Sequence, residues 1–180
     1  MMSTQDPPPW LQVMRELLRT DEGSLPDICF DFGAQELIAD AYVLIQSCAV
    51  PSPKPIGHLW CEARGRDLDI HHGENPVHMF LSGEADGFHV HYETLIAPTG
   101  AQLPGISVLI YEQDVIAIDY RMGPEWTDEA IVGLFSLMEK IAALATPTRI
   151  THKSNWFDPD GTLLVEAYSQ WQEQTRLAAA

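Results

Sequence analysis

Basic residues are scarce in this chain: Lys and Arg number 10 against 26 Asp and Glu, a formal net charge of −16. Such a field repels phosphate backbones and anionic membrane surfaces and speeds encounter with basic proteins. The expected partner is therefore a cationic protein, with no nucleic acid and no membrane, although acidity also serves solubility alone. Cysteine is scarce too. Cys29, Cys48 and Cys61 are odd in number and lack C-x-x-C spacing, which excludes a disulfide framework or a zinc knuckle and leaves buried free thiols. No apolar run approaches the roughly 20 residues of a membrane-spanning helix. Residues 1–9 have neither the basic start nor the apolar stretch of a secretory signal, so the expected address is cytoplasmic. The chain also lacks a G-x-S-x-G elbow, a P-loop and a G-x-G-x-x-G turn after a strand, and the expectation is a protein that is not an enzyme.

What is present suffices for a core. With 46% hydrophobic and 20% charged residues over 180 positions, the chain reads as a single α+β domain spanning 1–180. Residues 1–9 are expected as a flexible leader and 178–180 as a flexible tail. Trp10, Leu11, Met14, Leu17 and Leu18 recur at helical spacing until Gly23. Ile28, Phe30 and Phe32 alternate as in a strand, and Leu37, Ile38, Ala41, Leu44, Ile45 and Cys48 return to one helical face. From Gly57 to Arg121, short apolar runs divided by Gly, Pro, Asp and Asn predict an antiparallel meander. Its strands are placed at 58–62, 77–81, 88–95, 106–111 and 115–121, with 67–70 as a short extra. Thr127 is placed to cap a helix carrying Ile131, Leu134, Phe135, Met138 and Ile141 on one face, with Asp128 and Glu129 in its first turn. An edge strand at 149–152, a turn at 158–161 and a helix at 163–177 complete a mostly antiparallel sheet of about five or six strands, packed by three to four helices.

Two constellations stand out. Between Asp67 and Tyr120 there is no Lys or Arg, and Asp67, Asp69, Glu74, Glu84, Asp86 and Glu93 fall within that stretch. With the aromatic anchors Trp126 and Trp156, these are the expected partner-binding residues. His89, His91 and Glu93 fall at alternate positions and share one face of a strand. They define an alternative: a divalent transition metal held by a metal-dependent or small-molecule-binding enzyme. Otherwise the histidines sit on a solvated sheet face while Phe88, Val90 and Tyr92 face the core, and no cofactor is expected. Asp119 and Arg121 read as an ion pair fixing the turn before the long helix.

The stretches Asp21-Glu22-Gly23-Ser24-Leu25-Pro26-Asp27-Ile28 and Gly123-Pro124-Glu125-Trp126-Thr127 resemble small immunity proteins of bacterial polymorphic-toxin and type VI secretion systems. The resemblance implies a protein that binds a cognate basic toxin and blocks its active site without catalysis of its own. A self-associating homodimer is the remaining expectation for partners.

Overall fold

The computed structural model describes residues 6–153 and 158–179. Trp156 lies outside the described residues. The first helix, α1 (Pro9–Arg19), begins on the last residue assigned to the leader and buries Trp10, Leu11, Met14, Leu17 and Leu18. Proline suits this first-turn position because its missing N–H would have no partner inside the helix. After β1 (Asp27–Asp31) comes α2 (Glu36–Cys48), then the hairpin of β2 (Gly57–Cys61) and β3 (Arg66–Ile70).

Residues 77–81 depart from expectation: they form a short helix, α3 (Val77–Leu81), where the apolar run predicts a strand. Five apolar residues fit either element by periodicity. Here Pro76 precedes the helix, and Asn75 Oδ1 accepts the Val77 N–H at 3.2 Å, which starts a turn. The expected strand at 88–95 also divides. Its first part is β4 (Phe88–Tyr92), while β5 (Leu95–Ile96) leaves the sheet to pair with β6 (Gln102–Leu103).

The hairpin of β7 (Ile106–Ile110) and β8 (Val115–Tyr120) leads to α4 (Asp128–Ala142). Thr127 Oγ1 accepts the Ala130 N–H at 3.2 Å, the expected cap. Arg15 and Arg19 both reach Asp128 in the first turn of α4, fixing α1 against it. The chain closes with β9 (Arg149–Lys153) and α5 (Leu163–Ala178), the latter reaching the first residue of the expected tail.

The fold class is α+β, and the described residues carry five helices and a seven-stranded sheet in the order β3-β2-β4-β7-β8-β1-β9. Every neighbouring pair in it is antiparallel. The strand and helix counts exceed expectation because the 149–153 and 66–70 segments both join the sheet and 77–81 is helical. The helices pack on one another as a layer: α3 on α2, α2 on α4, α4 on α1, and α1 on α5. One continuous core lies between that layer and the sheet. Phe135 is its aromatic centre, with Trp10, Tyr168 and Trp171 rings at 5.6, 5.5 and 5.7 Å. Each fully buried large side chain of this kind contributes about 1.5–3 kcal/mol. Among the described residues no helix is long and apolar enough to cross a membrane.

Candidate functional site

Strand pleating divides the residues of the sheet between two sides. On β2 and β4, Leu59, Cys61, Phe88, Val90 and Tyr92 are buried, while the intervening His58, Trp60, His89 and His91 are exposed. The helices thus cover one face and leave the other open. The ladder register arranges the open face in rows. Asp69 stands opposite His58, His58 opposite His89, and His89 opposite Leu109. The same row continues through Ala117 and Cys29 to Thr151. A second row runs His91, Ser107, Asp119, Asp27 and Lys153.

Trp60 occupies one end of this face and is 40% exposed. Asp67 is its cross-strand partner, and on its other side the Asp86 N–H donates to the Trp60 carbonyl at 3.0 Å. An indole is thereby set between two carboxylate-bearing residues. Tyr111, 56% exposed, follows β7 and lies over Gly87, where an added Cβ would stand 2.5 Å from the tyrosine Cδ1. Glycine at 87 is what gives the ring its place. The Tyr111 hydroxyl is 3.3 Å from His89 Nδ1, which joins the aromatic end to the histidine row.

Farther along the face, Cys29 and Ala117 are buried yet stand outside the continuous core. With Leu109 they floor a shallow cavity of about 70 Å³ rimmed by Asp27, Glu112 and Lys153. Burial pushes the Cys29 thiol up, so it stays protonated. The Asp27 carboxyl is also raised, first by burial and then by the Asp119 charge, with Lys153 opposing.

The structure separates the expected partner-binding residues. Asp67, Asp69 and Asp86 gather at the Trp60 end, and Glu84 adjoins them through its carbonyl, which accepts the Glu62 N–H at 3.0 Å. Glu74 does not join them. Its carboxylate accepts the His71 N–H at 2.7 Å in the loop after β3, and it lines a cleft at the β3 edge with Asn75, His78 and Met79, which only Asp69 of that group also reaches. Trp126 is a core residue rather than a surface anchor: it is fully buried, its Nε1–H donates to the Arg121 carbonyl at 2.8 Å, and Tyr120 packs edge-on against it. A tryptophan between a strand end and a helix cap fills the corner those elements leave.

His89 and His91 share a face as expected, but each engages β7 instead of its neighbour: His91 Nδ1 is 3.2 Å from Ser107 Oγ. Among the described residues no three His, Cys, Asp or Glu side chains converge as a metal site. Glu93 instead enters an open cleft of about 800 Å³ with His91, Asp21, Arg121, Glu125 and Glu129. Arg121 pairs there with Asp21 at 3.3 Å rather than with Asp119, whose carboxylate accepts the Ser107 N–H at 3.2 Å. A Gly23 N–H and then Arg121 hold the Asp21 carboxyl below its ordinary value. Asp21 of the stretch 21–28 lines this cleft together with Gly123, Pro124, Glu125 and Thr127 of the stretch 123–127.

A titratable trio is sealed in the core. His152 Nδ1 lies 3.1 Å from Asp158 Oδ2, and the Tyr120 hydroxyl 2.8 Å from His152 Nε2. Asp158 Oδ1 also accepts the N–H groups of Thr162 and Leu163, capping α5. With its side chain 0% exposed, His152 cannot meet a substrate; the trio fastens β8, β9 and α5 together.

Sequence reasoning missed Trp60, Tyr111, Asp27 and the floor of the small cavity. The signal for Trp60 was its alternation with Leu59 and Cys61; Tyr111 offered none beyond lying at a strand end.

No family model matches the chain, and none of the curated proteins matches it. A solved chain from the complex of the toxic C-terminal tip of CdiA from Pseudomonas aeruginosa with its immune protein is similar, with a TM-score of 0.47 and 18% identity, over 66% of this chain and 78% of that one.

Proposed function

We propose that this chain is a non-catalytic, protein-binding inhibitor of the immunity kind, which occludes a basic toxin in the cytoplasm and needs no cofactor. The observation that carries the reading is the placement of Asp67, Asp69 and Asp86 around one end of an open sheet face, in a chain of net charge −16. Carboxylates so placed raise the encounter rate with a cationic surface and suppress anionic competitors. Two stretches that resemble immunity proteins, 21–28 and 123–127, both contribute residues to the large acidic cleft, which extends the negative surface through Glu93, Glu125 and Glu129.

The test is co-purification of the tagged chain from its native lysate at low and high salt, followed by growth assays with the recovered protein expressed alone or with this chain. The expected result is one basic protein, retained at low salt, whose toxicity the chain relieves. Recovery of nothing basic, or of a protein whose effect on growth the chain leaves unchanged, would sink the reading.

A further inference from the structure

We propose that the open face of the sheet, centred on Trp60 and Tyr111, is the docking surface, and that its occupant is an Arg- or Lys-bearing segment of a protein partner. The inference deepens the inhibitor reading and rests on it for the biological role, but the surface itself is argued from geometry. Two large rings stand exposed, 40% and 56%, on the face of the sheet opposite the helix layer of the described residues. Large exposed aromatic side chains on one sheet face are unusual for a solvated surface and typical of binding centres.

Three features select the occupant. The rings accept a guanidinium or ammonium group on their faces, a contact worth about 0.5–2 kcal/mol each. Carboxylates border them: Asp67 and Asp86 beside Trp60, Asp69 opposite His58, and Glu112 directly after Tyr111. Finally, the small cavity over Cys29, Leu109 and Ala117 has room for one apolar side chain, with Asp27, Glu112 and a single cation, Lys153, at its rim. The face's own cations, Arg149 and Lys153, belong to β9, away from β2 and β3; Lys153 reaches the cavity rim, where Asp27 is its cross-strand partner, and leaves the Trp60 end without it. Arg66 pairs with inward-facing Cys61 and so lies on the other side. A cationic segment with an apolar residue between its charges satisfies all three features at once.

Other occupants fare worse on the same observations. Single-stranded RNA would stack on Trp60 and Tyr111, but its phosphates would meet Asp67, Asp69 and Asp86. A second copy would set two such faces, each from a chain of charge −16, against one another.

The test uses fluorescence anisotropy of a labelled capped peptide, Arg-Leu-Arg-Leu-Arg, against the full chain, with the Glu-for-Arg counterpart, a ten-nucleotide poly(U) and light scattering of the protein alone as arms. The peptide is expected to bind best, and Trp60→Ala with Tyr111→Ala to weaken it about 10-fold, the equivalent of a single aromatic anchor. Tyr111→Lys, which keeps bulk but adds a cation, is expected to do the same, while Glu139→Gln, an equal change of charge on the exposed side of α4, changes binding less than about 2-fold. Unchanged peptide binding in the aromatic variants, tighter binding of poly(U), or a dimer dispersed by those variants would overturn the proposal. If the toxin recovered by co-purification still binds the aromatic variants as it binds the wild type, the docking surface is wrong and the inhibitor reading stands. If the peptide binds this face and no toxin is neutralised, the reverse holds.

Discussion

Asp27 and Asp119 stand directly opposite one another on β1 and β8, two carboxylates on the same open side of the sheet. Like charges in cross-strand register destabilise a sheet by about 0.2–1 kcal/mol. The raised Asp27 carboxyl records that cost together with the cost of its partial burial. Because the folded state holds this proton more tightly than the unfolded chain, stability falls as pH rises from the ordinary carboxylate value through the raised one. Asp27→Asn is therefore expected to raise the melting temperature at pH 7 and to have no stabilising effect at pH 3, as read by thermal melts at both. A lower melting temperature at pH 7 would refute the account.

His152 behaves in the opposite direction. Burial lowers its pKa, and the neighbouring Asp158 only partly restores it. The unfolded chain binds that proton first as pH falls below the ordinary histidine value near 6.5, so acidification weakens the fold until the depressed folded value is passed. Urea melts at pH 7 and pH 5 should show wild-type stability falling, and a smaller fall in His152→Gln, whose overall stability is lower at both. An equal fall in the two proteins would show that other histidines carry the effect.

The two tryptophans of this account separate cleanly. Trp126→Ala empties a fully buried site and is expected to cost about 3–5 kcal/mol. Trp60→Ala removes a partly exposed ring and should cost under about 1 kcal/mol while weakening cationic binding. Chemical denaturation of both variants checks this, and comparable losses would contradict the open face.

At Gly133 of α4, an added Cβ would stand 3.0 Å from Ala97 Cβ and from Leu103 Cδ2, and 3.1 Å from Ala101 Cβ. The β5–β6 ribbon rides against the helix at that point. Gly133→Ala is expected to destabilise by about 1–3 kcal/mol through overpacking, despite alanine's better helix propensity. Stabilisation on denaturant titration would mean that the ribbon yields freely.

Local physics made much of the fold legible. Trp10, Met14 and Leu17 announce α1 by spacing, Thr127 announces α4 by its capping chemistry, and Phe88, Val90 and Tyr92 name the inward side of β4. The failures share one cause. Residues 77–81 are decided by the turn at Asn75 and Pro76 rather than by their own apolarity, and β5 is decided by a partner strand, β6, of only two residues. Of the candidate site, Asp67 and Asp69 were legible as alternate exposed positions. That Asp86 comes to Trp60 while Glu74 turns to the His71 N–H depends on hydrogen bonds that spacing along the chain does not encode. The placing of Tyr111 over Gly87 is likewise a matter of how β4 and β7 meet.

One-sided coverage of the sheet has a consequence for how such a chain changes over generations. Leu59, Val90 and Val108 answer to the core, whereas their immediate neighbours His58, Trp60, His89 and Leu109 lie on the open side. Substitutions at the second set rewrite what the face offers while packing at the first set is untouched. A lineage pursuing a partner that keeps altering its own surface can therefore vary every other residue of these strands and hold the rest, so that the pleat itself separates drift from constraint.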